Sequence, residues 1–365
     1  MVNNERLSKL TNILLEEGMD GCILGPTEDI EYIAGIKPFK DERFKGLFLF
    51  SDGSWFFISP ELYYEGFRNK LGEKAHIYVW SDNEGVDGAF KEATKEYALE
   101  GKKIAVNAGI RAVDLIDMKQ IMKSNFVNGD KMLEQFRIIK DEEEKECLAK
   151  AAEIADRAFE KIIKFIKPGI TERAISDKLK ELLMELGGEE LSFETIVASG
   201  PNSSMPHYNG DKRVIKEQDL VILDYGCRYK GYCSDISRTV FIGEPTEEQK
   251  KIYEIVLRAN TEAEKTVREG AKAEDIDKTA RKIIADEGYG KYFINRTGHG
   301  IGLADHEAPY IKDGNKEVLK TGMSFSVEPG IYIPGKFGMR VEDIVMVDGE
   351  GFIIFNKANK SMVIV

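Results

Sequence analysis

Four acidic residues stand where acids are costly. Asp224 closes the apolar run Leu220-Val221-Ile222-Leu223, and Asp235 follows 11 residues later, across Gly226 and Gly231. Glu328 ends Met323-Ser324-Phe325-Ser326-Val327 and precedes Pro329-Gly330. Glu342 lies inside Met339-Arg340-Val341-Glu342-Asp343-Ile344-Val345-Met346-Val347. A carboxylate on an apolar strand is expensive to bury without a partner. Singly, each reads as a strand-end residue facing solvent. That reading weakens for four of them together with His299, set between glycines in Thr297-Gly298-His299-Gly300-Ile301-Gly302. Histidine is scarce: of the 4 in the chain, His207, His299 and His306 fall within 100 residues of one another. His76, between Ala75 and Ile77, reads as a structural strand residue.

If the four acids converged, electrostatics would decide the chemistry. Two like charges about 4 Å apart repel by about 4 kcal/mol at an effective dielectric of about 20. Across the pairs of a four-acid cluster the upper bound is roughly 20 kcal/mol. Two divalent cations would cancel four negative charges. One imidazole and four carboxylates form a hard, oxygen-rich set, which suits Mn²⁺ or a similar ion better than a thiolate-rich zinc site would. Spacing alone does not bring the acids together. Cys227 and Cys233, between the two aspartates, read as packing residues of a hairpin, since free cysteine behaves as a small hydrophobe.

The elements that must position these groups follow from periodicity. Leu7, Leu10, Ile13 and Leu14 keep helical spacing before Gly18. Gly21-Cys22-Ile23-Leu24 reads as a buried strand. Leu47 to Phe50, Asp52-Gly53 and Trp55 to Ile58 read as strand, turn and strand. Strands at 76–80 and 103–106 alternate with helices at 89–99 and 113–122. Residues 1–125 are therefore an α/β domain, with no glycine-rich phosphate loop. Residues 126–140 read as a linker, and 141–365 as a second domain.

That second domain opens with Asp141-Glu142-Glu143-Glu144, acids that favour the positive end of a helix dipole. Pro168-Gly169 stops the helix. A weak internal repeat follows. Ile175, Leu179, Leu182, Leu183 and Gly187 are echoed at a shift of 101 residues by Ile276, Ala280, Ile283, Ile284 and Gly288. Each copy follows a long helix, 141–167 and 246–269, and leads into strand-like sequence. A duplicated helix–helix–strand unit is the reading this pattern supports.

Composition bounds the function. With 365 residues and 42% hydrophobic content the chain can bury the cores of two domains. Its 52 basic and 64 acidic residues leave a net charge of −12, which argues against nucleic acid and anionic membrane as partners. No apolar run approaches the roughly 18 residues of a membrane span. The N-terminus lacks the apolar core of a signal peptide. Four cysteines make no disulfide framework. A reduced, cytoplasmic protein is expected.

Five segments occur in order: Leu223-Asp224-Tyr225-Gly226, Ser234-Asp235-Ile236-Ser237-Arg238-Thr239, Gly298-His299-Gly300-Ile301-Gly302, Ser326-Val327-Glu328-Pro329-Gly330 and Arg340-Val341-Glu342-Asp343. Together they closely resemble the pita-bread metallopeptidases, prolidase and aminopeptidase P in particular. The resemblance runs from about residue 140 to the end. The preceding domain looks like the creatinase/prolidase N-terminal domain. The implied architecture is an α/β N-terminal domain plus an α+β pita-bread catalytic domain with an internal pseudo-repeat.

The resemblance implies two divalent metal ions, Mn²⁺ first, Co²⁺ or Zn²⁺ as alternatives. Asp224 would hold one, His299 and Glu328 the other, and Asp235 and Glu342 would bridge. Glu328 would also move the proton. His207, 17 residues before Asp224, and His306, seven after His299, match the family's substrate-facing histidines. Arg340 matches an arginine often found two residues before the last ligand and, with Tyr310, is expected to bind substrate. In some prolidases an arginine four residues after the second histidine captures the substrate carboxylate; here that position is Tyr310, a neutral hydrogen-bonding group in place of a bidentate cation. The implied activity is that of an Xaa-Pro dipeptidase acting on small peptides as a homodimer. The alternatives are an Xaa-Pro aminopeptidase, a methionine aminopeptidase, and a catalytically inactive binding protein on the same fold. The complete ligand set opposes the last, and the N-terminal domain opposes the methionine enzyme.

Overall fold

The computed structural model describes residues 2–37 and 39–365. They divide into two compact units, Met1–Arg137 and Ile138–Val365. No helix among the described residues is long and apolar enough to cross a membrane.

In the first unit, Gly21–Leu24 is the centre of a six-stranded mixed sheet. It pairs antiparallel with Gly46–Phe50 and parallel with Lys103–Val106. Trp55–Pro60 and Ile77–Trp80 extend one side, and Asn125–Asn128 closes the other. A core of Ile23, Phe48, Phe56, Phe90, Leu99 and Ile104, all fully buried, fills one face. The α/β expectation is met, but the linker expected at 126–140 is not one. It holds the edge strand Asn125–Asn128 and the helix Asp130–Arg137, whose Met132, Leu133 and Phe136 are buried at helical spacing. Burial of that apolar face makes the segment part of the first unit, and the division falls at 137/138.

The second unit begins with helix Glu142–Ile162. Its capping box is complete: Asp141 accepts from the Glu144 N–H while Glu144 accepts from the Asp141 N–H. Helix Glu247–Glu264 has the same device in Thr246 and Gln249. The partner helices, Glu172–Glu185 and Ala273–Asp286, are offset by 101 residues at both ends, which gives the internal repeat its structural form.

Each helix pair packs on a sheet. The first covers Val197, Val221, Leu223, Ile236 and Val240; the second covers Phe325, Val327, Val345 and Val347. Strand side chains alternate between faces. In Leu220–Tyr225, Val221, Leu223 and Tyr225 turn to the helices, so Ile222 and Asp224 turn away. The same alternation sends Ser326 and Glu328 away from Phe325 and Val327, and Glu342 and Ile344 away from Val345. Two apolar faces thus commit Asp224, Glu328 and Glu342 to the side opposite the helices.

Candidate metal centre

The two sheets meet at those acids. Ser237 pairs with Asp224 across one sheet and forms a lone bridge with Glu342 of the other. Val327 pairs with Asp343, which brings Glu328 and Glu342 side by side beyond it. His299 occupies the short strand Gly298–Gly300, which pairs with Ser324–Val327 on the side away from Asp343–Asp348. Its flanking glycines are required by close approach. A Cβ on Gly298 would lie 1.8 Å from the Ser326 carbonyl oxygen, and one on Gly300 2.1 Å from that of Ala308.

The structure gathers Asp224, Asp235, His299, Glu328 and Glu342 on the lining of one cavity of about 450 Å³. Ligand atoms of Asp235, His299 and Glu342 lie within 4.8 Å of one another. His299 Nε2 is 3.3 Å from Glu328 Oε1 and 3.7 Å from Asp235 Oδ2. The other ring nitrogen, Nδ1, is 3.1 Å from the Gly300 carbonyl, which leaves Nε2 facing the acids. Three of the four acids are also held from behind. Ser237 donates to Glu342 Oε2 at 2.7 Å, Ser326 to Glu328 Oε1 at 3.2 Å, and Arg340 to Asp224 Oδ2 at 2.5 Å.

The remaining oxygens decide what the site can hold. Among the described residues, Asp224 Oδ1, Asp235 Oδ1 and Glu342 Oε1 are buried with no hydrogen-bond partner. Burial first, and the neighbouring carboxylates second, hold the Asp235 and Glu342 carboxyls well above the usual range. Burial pushes Glu328 up to about 7, against the pull of Arg340. Burial holds the His299 imidazole well below its ordinary value, neutral and able to ligate. Orphaned carboxylate oxygens beside a neutral imidazole fit divalent cations.

The M24 metallopeptidase model matches residues 146–349, more than half of the chain. The chain belongs to metallopeptidase family M24. Membership implies divalent metal ions, for which this donor set is suited. Residues 6–139 of this M24 peptidase match the creatinase/prolidase N-terminal domain. It is 37% identical over 365 residues to an Xaa-Pro dipeptidase of Lactobacillus delbrueckii subsp. lactis, covering 98% of both chains. A prolidase structure from Thermococcus sibiricus superposes with a TM-score of 0.95, at 38% identity and full coverage of both chains. An X-Pro aminopeptidase structure from Thermotoga maritima gives 0.87 at 30% identity, covering 98% of this chain and 99% of that one. The pita-bread catalytic fold expected from the motifs is the one these structures share.

Around these acids and His299, His207 and His306 line the same cavity with exposed imidazoles. The His306 ring packs edge-on against His299, centroids 3.9 Å apart. Arg340 also lines the cavity but is spent on the protein. Nε donates to Ser237 at 2.8 Å, Nη1 to the Tyr332 hydroxyl at 2.7 Å, and Nη2 to Asp224. Tyr310 is not on the lining. It lies behind Arg296, whose guanidinium carbon is 5.0 Å from its ring centroid.

Arg296, Asn295, Phe193 and Asp305 line the cavity and were not singled out by the sequence. They sit in loops, where no periodicity marks them. Only the position of Arg296, three residues before His299, offered a signal. Cys227 and Cys233 are free and buried, on the two strands of a hairpin.

Proposed function

We propose that this M24 peptidase is a dinuclear-metal exopeptidase that hydrolyses the Xaa-Pro bond of dipeptides. The observation that carries the chemistry is the cavity collecting four acids and His299, with three buried carboxylate oxygens unpartnered. The full-length likeness to an Xaa-Pro dipeptidase supports the substrate class. Asp224, Asp235, His299, Glu328 and Glu342 would hold the ions, with Asp235 and Glu342 the residues expected to be shared. Mn²⁺ is the ion we expect to serve best, from the hard donor set. When bound, such ions supply Lewis acidity and an activated water.

The chain's own residues do the rest. Glu328 takes the water proton and delivers it to the leaving nitrogen. His207 and His306 hold the scissile carbonyl and the oxygen that gains charge. The substrate's free amine sits against the acids, which limits cleavage to the first bond. A proline nitrogen has no N–H, so a site that asks for no hydrogen bond there accepts it.

The substrate carboxylate needs a cation, and Arg340 is engaged. Arg296 lines the cavity and makes no hydrogen bond or ion pair among the described residues. We assign it the carboxylate, steadied by its stacking on Tyr310. The free, buried cysteines support a reducing, cytoplasmic setting. The family resemblance supports a homodimer.

One observation favours the second reading, an aminopeptidase acting on longer peptides. A neighbouring hollow of about 490 Å³ shares Glu194, Ile196 and His207 with the first. Kinetics on Leu-Pro and its C-terminal amide decide between them. Amidation is expected to lower kcat/KM by about ten- to a hundredfold, the loss of one charge-assisted contact. Arg296→Gln should lower kcat/KM on Leu-Pro by a similar factor, mostly through KM, and leave the amide unaffected. Equal rates on acid and amide in the wild type would favour the aminopeptidase.

A further inference from the structure

Behind the acids lies a second layer of charge that the chemistry above does not use. Arg238 is fully buried. Its Nη1 donates to the carbonyls of Glu342, at 2.5 Å, and Ser237, at 3.0 Å. Its Nη2 donates to Asp343 Oδ1 at 2.7 Å. The other oxygen of Asp343 is 2.7 Å from Lys360 Nζ. Lys360 also donates to Glu264 at 2.8 Å and to Asn260 Oδ1 at 3.1 Å. Asn260 in turn donates to the Val327 carbonyl at 2.8 Å, the residue before Glu328.

Lys360 therefore stands at the junction of two arms. One runs through Asp343 and Arg238 to the backbone of Glu342. The other runs through Asn260 to the backbone beside Glu328. Lys360 comes from the C-terminal segment, which is fastened over this layer. Arg238 donates to the Asn359 and Ala358 carbonyls, the Tyr253 hydroxyl donates to the Lys360 carbonyl, and Val363 pairs with Val240.

We propose that Lys360 is a positioning residue of the metal centre, setting Glu342 and Glu328 from behind through Asp343–Arg238 and Asn260. Buried ion pairs add little net stability, and their retention calls for another reason. Here the two cations, Arg238 and Lys360, balance two buried carboxylates, Asp343 and Glu264. Their bonds end on the chain at two of the proposed ligands. Groups behind a metal's ligands orient them and set affinity. The inference rests on the ligand assignment above.

Cobalt binding tests it without turnover. Co²⁺ is titrated into metal-free full-length protein, with affinity read calorimetrically and ligand geometry from the visible d–d bands. The Lys360→Met variant should bind Co²⁺ about ten- to a hundredfold more weakly, with a changed spectrum and an unchanged far-ultraviolet dichroism. Lys360→Arg should recover most of the affinity, and Lys357→Met, at an exposed lysine of the same segment, should match the wild type. If Lys360→Met does not fold, Lys360→Met with Glu264→Gln removes the unmatched buried acid and should still bind weakly. Wild-type affinity and spectrum in either folded variant would overturn the proposal while leaving the metal reading intact. A wild-type chain that takes up no cobalt would overturn both.

Discussion

Replacing Glu328 by glutamine is expected to lower kcat/KM on Leu-Pro by at least about two orders of magnitude, the range for a lost acid/base group. The substitution keeps size and removes charge. Ser326 still donates to the side-chain oxygen it now holds at 3.2 Å, so the position of the group should survive. What is lost is the carboxylate that faces His299 Nε2 at 3.3 Å and lines the cavity. Because the residue is assigned both a ligand and a proton-moving role, metal content must be measured beside the rate. A variant with full activity would remove Glu328 from the mechanism.

The second large effect concerns metal content. Asp235→Ala and Glu342→Ala should each lose more metal than Asp224→Ala, since a ligand shared by two ions serves both. Each of the three buries one oxygen without a partner, so cutting any one lowers the charge of the cluster. Only the loss of a shared ligand should empty two positions. Elemental analysis of the purified variants reads this directly. Full occupancy in either the Asp235 or the Glu342 variant contradicts the assignment of bridging roles.

The acids were legible singly, because Asp224, Glu328 and Glu342 each close or adjoin an apolar run, but spacing did not bring them together; the five ordered motifs and their family resemblance implied the site. The structure supplies the physical reason: the apolar residues of those strands face helices, which leaves the acids on the opposite side. Gly298 and Gly300 were legible as a pair around His299, and the structure supplies the reason in the carbonyls they clear. The repeat was visible as spacing and appears as two helix pairs.

Other features had weaker signals. Arg296 looked like any surface cation, since a loop residue's neighbour, here Tyr310, is set by tertiary contact. Arg340 was read as reaching substrate, but its guanidinium is consumed by Ser237, Tyr332 and Asp224. The boundary at 126–140 was misplaced although Met132, Leu133 and Phe136 carry a helical pattern. An eight-residue helix beside a four-residue strand is too short for periodicity to separate from a linker. The Lys360 network joins residues some 100 positions apart, and sequence spacing holds no trace of it.

The most direct test of the central claim is a side-by-side measurement of kcat/KM on Leu-Pro and Ala-Pro-Ala with the Mn²⁺-loaded chain. A site that anchors the free amine on its acids and the proline carboxylate on Arg296 fits a dipeptide at both ends. The account predicts that Leu-Pro is hydrolysed at least about tenfold more efficiently, the worth of one charge-assisted contact. Equal or better cleavage of Ala-Pro-Ala would contradict it and make the chain an aminopeptidase of longer peptides.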